Sequence, residues 1–114
     1  MIVKELRENL GSRDGTHRVL GVWDTALQPG TMLDPHMHPD VEEVYYILEG
    51  EAEILVGEET RVVGPGQLVY IPPQQLHTIR PAGDAPLRWI TVAVAVGADN
   101  PPAPQRTKES HYIA

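Results

Sequence analysis

The chain has 114 residues, of which 41% are hydrophobic, and it contains neither Phe nor Cys. Sixteen acidic and nine basic side chains give a formal net charge of −7. This charge repels nucleic-acid phosphates and anionic lipid headgroups, so we expect neither nucleic acid nor membrane as a partner. Without Cys, a disulfide is excluded, and a tightly bound metal would need nitrogen and oxygen ligands.

The length predicts one domain, spanning residues 1–114. The first residues mix charged and apolar side chains, including Lys4, Glu5 and Arg7, and lack the apolar stretch of a secretory signal. No apolar run approaches the roughly 20 residues that span a bilayer. We therefore expect a cytoplasmic protein.

Short β-rich runs separated by Gly and Pro dominate the chain, a pattern that is typical of an all-β barrel or sandwich. Residues 1–10 fit either a turn of helix or an edge strand. We interpret the breaks at residues 49–51 and 57–59 as hairpin turns. The predicted strands are residues 16–27, 43–48, 52–56, 60–63, 67–71 and 88–96.

The run at residues 16–27 carries apolar side chains on both faces, which predicts a sheet that is covered on both sides. Residues 81–86 have the composition of a surface loop. Pro101, Pro102 and Pro104 lie in the polar C-terminal stretch. We therefore place the barrel core at about residues 16–97 and a Pro-rich tail at residues 98–114.

Three metal-ligand side chains stand close together in the sequence. His36 and His38 are two residues apart, so on a strand both would point to the same face. Glu43 opens the next predicted strand, and His77 follows a later one. Imidazole and carboxylate ligands suit Fe, Mn, Ni, Co or Zn as divalent ions, and the residues alone do not select among these metals.

These residues resemble the two motifs of the cupin family. The stretch from Gly30 to Gly50 has the residues of the first motif at every fixed position. The stretch from Gly66 to His77 is similar to the second motif, with two departures. Gln74 stands where the family usually has Gly, and Pro81 stands where it often has Asn. The chain is thus identified as a small single-domain cupin of the conserved-barrel type.

The resemblance implies an all-β jelly-roll barrel of six to eight antiparallel strands, often assembled as a homodimer. It also implies one divalent transition metal near the barrel mouth, held by His36, His38, Glu43 and His77. Four protein ligands would leave about two octahedral positions for water, substrate or dioxygen, which favours a catalytic role.

Three further residues are candidates for the site. Tyr45 lies on the same face as Glu43 and could offer a catalytic phenol to a substrate or could simply fill the barrel. Met32 shares the parity of His36, so we expect it to line a substrate cavity. Arg80 could clamp a carboxylate substrate, the alternative being a solvated arginine at a strand edge.

Other conspicuous side chains have simpler interpretations. Trp23 and Trp89 are assigned to the core or to an interface. We expect Glu42, whose parity is opposite to that of Glu43, to be a surface carboxylate, and His17 and His111 to be surface residues.

The sequence leaves three functions open, each with a small molecule as the partner. The first is a metal-dependent, dioxygenase-like enzyme that acts on a small oxygenated organic molecule. The second is a metal-dependent isomerase, lyase or decarboxylase that needs no oxygen. The third is a non-catalytic domain that binds or senses a metabolite, and the fold alone cannot choose among them.

Overall fold

A computed structural model describes residues 1–97 of the chain. Short 3-10 helices cover Leu6–Glu8 and Ser12–Asp14. The strands are β1 (Leu10–Gly11), β2 (Val19–Leu27), β3 (Val41–Glu49), β4 (Ala52–Val56), β5 (Glu59–Val63), β6 (Leu68–Ile71), β7 (His77–Pro81) and β8 (Leu87–Ala95). The predicted all-β fold is therefore confirmed.

Two antiparallel sheets form the barrel. One has five strands in the order β1-β2-β8-β3-β6, and the other has three in the order β5-β4-β7. Alternate side chains of both sheets point inward, and Ile47, Trp89, Ile54 and Ile79 are each no more than 2% exposed. These aliphatic side chains, together with the packed rings of Tyr45 and Trp89, form a core that contains no Phe. The core thus lies between the sheets, as a jelly-roll barrel requires.

The predicted strands match the structure closely, with one omission. Residues 52–56 coincide with β4, and the predictions for β5, β6 and β8 are correct to within one residue at each end. Strand β2 begins three residues later than predicted, and β3 is longer at both ends. The sequence patterns do not predict strand β7, because its short run is flanked by Pro-containing segments that indicate a loop.

One of the two predicted hairpins is correct. Strands β4 and β5 pair through the turn at Gly57, where Val56 lies opposite Glu59. The hairpin at residues 49–51 is wrong, because β3 and β4 belong to different sheets. Gly50 carries the chain across with a φ of 77°, and a Cβ there would lie 2.3 Å from the carbonyl oxygen of Pro86. This crossing therefore requires glycine.

The ends of the chain have different outcomes. Both expectations for residues 1–10 are met in part, since this segment contains the first 3-10 helix and the start of edge strand β1. Within residues 1–97, no helix has the length and apolar character needed to cross a membrane. The tail predicted at residues 98–114 and His111 lie outside the described residues.

Candidate metal centre

His36 and His77 are joined through their backbones. The N–H of His36 donates to the carbonyl of His77 at 3.1 Å, and the N–H of His77 donates to the carbonyl of His36 at 2.9 Å. This is an isolated β-bridge at the start of β7. The prediction that His36 and His38 sit on a regular strand is therefore wrong, although the bridge still brings His36 against the barrel wall.

The segment leading to His36 contains one extra residue. Because His36 pairs with His77, a regular antiparallel ladder would pair Asp34 with Ile79. Instead, the N–H of Leu33, one residue earlier, donates to the carbonyl of Ile79 at 3.0 Å. The extra residue turns Leu33 toward the core, whereas Met32 stays 46% exposed. This irregularity explains why parity counted from His36 does not bring Met32 into the cavity.

Glu43 reaches the same region from β3. Its neighbours across the sheet are Ala93 on β8 and Ile71 on β6, so the carboxylate projects from the middle of the sheet into the barrel. Glu43 is 5% exposed and His77 is 2% exposed. These two groups are buried, whereas His36 and His38 are only partly covered and lie nearer the mouth.

The four predicted ligands converge. One possible ligand atom from each of His36, His38, Glu43 and His77 lies within 4.8 Å of the other three. The Glu43 Oε1 atom is 3.1 Å from Nε2 of His77 and 3.9 Å from Nε2 of His38. The cluster thus has a size and a donor set that could hold one divalent transition metal.

Hydrogen bonds at the back of two imidazoles orient them toward the cluster. Nδ1 of His36 lies 2.6 Å from the carbonyl oxygen of Asp34, and Nδ1 of His77 lies 3.0 Å from that of Gln75. A carbonyl can only accept, so each Nδ1 carries a proton, and the neutral form of each ring has its lone pair on Nε2, facing the cluster. Metal-binding histidines are commonly oriented in this way.

Two buried atoms in the cluster lack a hydrogen-bond partner among the described residues. They are Oε1 of Glu43 and Nε2 of His77, the same atoms that face each other at 3.1 Å. When the ring is neutral with its proton on Nδ1, both atoms are acceptors, and burying two acceptors together is costly unless a cation lies between them. The residues therefore fit a metal ion.

The turn before His77 supports two of the ligands although it departs from the family motif. Gln74 has a φ of 65°, the left-handed conformation in which glycine is favoured. Its N–H donates to the carbonyl of His38 at 2.8 Å, and Gln75 accepts the bond from His77. Gln74 thus keeps the turn geometry that a Gly would provide.

A cavity of about 400 Å³ adjoins the cluster. His36, His38 and Glu43 line it, as does Tyr45, whose ring packs 5.6 Å from that of Trp89. Burial raises the pKa of the Tyr45 phenol far above its ordinary value, and the Glu43 carboxylate adds to this shift. The phenol is therefore protonated at neutral pH.

The other two predicted site residues lie elsewhere. Met32 and Arg80 line a separate depression on the surface, together with Glu53. Arg80 donates through Nη2 to Oε1 of Glu53 at 2.6 Å, and both side chains are well exposed. This is the placement of a solvated arginine, which is the alternative that the sequence leaves open.

Several cavity residues are not assigned to the site by the sequence patterns. Leu33, Thr25 and Thr91 line the cavity, and so does Trp23, which was interpreted only as core or interface. Alternation along β2 and β8 could have found three of them, because Thr91 lies opposite Trp23 and has the same parity as Trp89. As predicted, Glu42 points away from the site, and it accepts a hydrogen bond from Tyr70 at 2.7 Å.

The model of the cupin domain matches residues 23–93, which are more than half of the chain. The chain belongs to the cupin family. Solved structures extend this result, since TT1209 from Thermus thermophilus has a TM-score of 0.67 and 27% identity, covering 83% of this cupin and 98% of that chain. Family membership and the single-barrel architecture predicted from the motifs are thus confirmed.

Curated relatives match only in part. The germin-like protein subfamily T member 3 of Arabidopsis thaliana is 34% identical over 80 residues, which are 64% of this cupin and 34% of that protein. The dimethylsulfoniopropionate lyase DddQ of Ruegeria pomeroyi is 48% identical over 46 residues, 40% of this cupin and 22% of the lyase. The cupin therefore spans about a third or less of the length of either protein.

Proposed function

We propose that this cupin is a metal-dependent enzyme of the dioxygenase-like type that acts on a small oxygenated organic molecule. The observation that carries the proposal is the facing pair of buried acceptors, Glu43 Oε1 and His77 Nε2, without a hydrogen-bond partner in the described chain. A structural role would not require a cavity beside that pair, whereas a substrate would.

Each residue of the centre has a proposed role. The ligands of one Fe, Mn, Ni, Co or Zn ion would be His36, His38, Glu43 and His77. When bound, such an ion polarises a substrate oxygen as a Lewis acid, and a redox-active ion can also react with dioxygen. The protonated Tyr45 hydroxyl would donate a hydrogen bond to a substrate in the cavity. The apolar walls would exclude water.

A reaction that needs no oxygen is the second candidate. It is favoured by the match to a dimethylsulfoniopropionate lyase, whose aligned region is 48% identical to this chain. In that case the same residues would serve an isomerase, lyase or decarboxylase, with the Tyr45 hydroxyl donating a hydrogen bond to the substrate. Turnover in an anaerobic chamber would support this candidate and contradict the oxygen-dependent one.

Metal analysis of protein purified without chelator or affinity resin tests the centre directly. We expect about one divalent transition metal ion per chain, and we expect His38→Ala to lose it while the strands stay folded by circular dichroism. His17→Ala is the matched control, because His17 is not one of the four clustered donors. Wild-type protein that neither contains nor binds a metal would refute the proposal.

Oxygen consumption then separates the two candidates. The metal-loaded protein is incubated with catechols, β-diketones and flavonols in an oxygen electrode, with the anaerobic reaction followed in parallel. Absence of turnover of every compound with every metal in the presence of oxygen would contradict the dioxygenase-like candidate.

We also propose a homodimer that forms through the outer face of the five-stranded sheet. Val44, Tyr46, Leu68, Ile90 and Val92 point to this face from three neighbouring strands, and Tyr46 and Leu68 are 40% and 46% exposed. A contiguous apolar surface of this kind is typical of an interface, and a two-fold dimer would cover the same surface on both copies.

Light scattering should give a dimer mass, and Tyr46→Asp should shift it to a monomer. A wild-type monomer at micromolar concentration would refute the proposal.

A further inference from the structure

The cavity beside the four clustered donors is lined mainly by apolar groups. Its walls include Leu33, Val41 and Ala93 and the rings of Trp23 and Trp89. The single N–H of the Trp89 ring is already engaged, because it donates to Oγ1 of Thr91 at 2.9 Å. Hydroxyl groups of Thr25, Thr91 and Tyr45 are the main neutral polar groups in the wall.

No lysine or arginine is among the described residues that line this cavity. The nearby strand cations are engaged elsewhere, since Arg80 pairs with Glu53 on the surface. Arg88 points to the outer side of the five-stranded sheet, where it donates to Asp24 at 2.9 Å. A negative charge on a ligand could therefore be balanced only at the metal centre.

The electrostatics of the centre limits the charge of that ligand. A divalent ion together with the Glu43 carboxylate leaves one net positive charge, which a single ionised oxygen would neutralise. A second carboxylate, held in the apolar part of the cavity, would lose its hydration without gaining a cation. Burying an unpaired charge in this way is strongly unfavourable.

Trp23 provides the surface that an apolar ligand would contact. A Cβ built on Gly21 would lie 2.5 Å from Cζ3 of Trp23, so the absence of a side chain at Gly21 is what lets the ring lie against the strand. In the register of the sheet, Trp23 lies beside Thr91 on β8. The Trp23 ring is half-buried and lines the cavity, so its accessible part can stack on a ligand.

The size of the cavity restricts the ligand further. About 400 Å³ corresponds to the liquid volume of roughly a dozen water molecules. That space accommodates a molecule with a single ring and a few substituents, one end of which must carry the oxygen atoms that reach the four donors.

We propose that the substrate is a single-ring-sized molecule that carries at most one negative charge, with its oxygen atoms at one end and an apolar body that stacks on Trp23. This inference rests on the proposed function and specifies its substrate class as neutral or singly charged rather than dicarboxylate. The oxygen end faces His36, His38, Glu43 and His77. The apolar end fills the space between Trp23 and Leu33.

Two probes that differ in charge test the inference. Catechol and phthalate share an aromatic ring with ortho oxygen groups, but catechol is neutral at pH 7 and phthalate is a dianion. Both are titrated by calorimetry into protein loaded with Zn(II), which does not oxidise catechol, after the zinc content has been measured. We expect catechol to bind at least tenfold more tightly than phthalate. Equal or tighter binding of phthalate, or no binding of catechol, would overturn the inference.

Variants on β2 test the role of Trp23. Trp23→Ala should weaken catechol binding at least fivefold with zinc content unchanged, whereas Tyr70→Ala, an aromatic deletion on the opposite face of the same sheet, should leave it unchanged. If Trp23→Ala does not fold, Gly21→Ala displaces the ring and should weaken binding in the same direction. Unaltered catechol affinity in the folded β2 variant would remove Trp23 from the site. Failure to bind zinc would instead overturn the proposed function as well.

Discussion

Two recesses of this cupin each place a glutamate beside a nitrogen-containing side chain, but one pair is buried and the other is exposed to solvent. In the cavity, Glu43 faces His77 with both side chains at least 94% buried, and two of their atoms lack hydrogen-bond partners in the described chain. In the surface depression, Glu53 faces Arg80 with side chains 36% and 54% exposed, and they are joined by two short hydrogen bonds.

The difference in burial distinguishes a site whose polar atoms still lack partners from an ion pair whose two side chains satisfy each other. The Glu53–Arg80 pair is exposed to solvent and its charges balance each other, so it contributes little to stability. The Glu43–His77 pair is buried, and two of its polar atoms have no hydrogen-bond partner among the described residues. Such burial is favourable only if a bound ion adds compensating interactions. Buried polar atoms without hydrogen-bond partners, rather than charged residues as such, therefore indicate which recess is the candidate functional site.

The largest expected effect is that of the metal on stability. At an ion concentration of 100 times Kd, binding to the folded state alone adds about 2.7 kcal/mol to the free energy of unfolding. For a domain of this size, that corresponds to a rise in Tm on the order of 10 °C or more. Differential scanning calorimetry with Mn(II) or Zn(II), against protein treated with chelator, measures the rise.

Matched substitutions of the two glutamates show which recess is responsible for the rise in Tm. Glu43→Gln removes one charged ligand from the cavity, so most of the metal-induced rise should disappear. Glu53→Gln makes the same chemical change in the depression and should leave the rise intact. A rise that persists in Glu43→Gln and vanishes in Glu53→Gln would reverse the assignment of the two recesses.

A smaller effect on stability is expected from the hydrogen bond that attaches the irregular segment before His36 to strand β7. The hydroxyl of Thr78 on β7 donates to the carbonyl of Leu33. Thr78→Val keeps the shape and removes this bond, so it should lower the free energy of unfolding by about 1 kcal/mol. It should also weaken metal binding severalfold, because His36 loses an anchor of its segment. Urea denaturation and metal titration measure the two effects, and an unchanged metal affinity would show that the bridge to His77 is sufficient alone.

The surface depression should respond still less. Arg80→Ala removes an exposed ion pair, for which a loss of about 0.5 kcal/mol in the free energy of unfolding is expected. Neither metal content nor catechol affinity should change, because Arg80 does not line the cavity. A tenfold loss of ligand affinity in this variant would break the comparison and restore Arg80 as a substrate-binding residue.

Much of the fold and of the donor cluster could be predicted from the sequence, because both depend on local patterns. Alternation and turn residues located most strands, and the motif spacing selected the four side chains that the structure brings together. What failed depended on long-range pairing. Which sheet a strand joins after Gly50 is decided by partners far along the chain, and no local pattern shows it. The extra residue before His36 likewise appears only when that segment is paired with β7.

An effect of the same small size but opposite sign is expected at Gln74, where the chain departs from the second cupin motif. Its left-handed conformation costs a residue with a Cβ about 1 kcal/mol or more. Gln74→Gly removes that cost, but it adds conformational freedom to the unfolded chain that offsets about 0.4–1 kcal/mol of the gain. We therefore expect a net increase in the free energy of unfolding of about 0.5 kcal/mol by urea denaturation. Metal affinity should stay the same, because the backbone N–H that binds the carbonyl of His38 is retained. Gln74→Ala, which keeps the Cβ, is the matched control and should give no increase. A loss of stability in Gln74→Gly alone would mean that the Gln74 side chain stabilises the turn by more than its backbone strain costs.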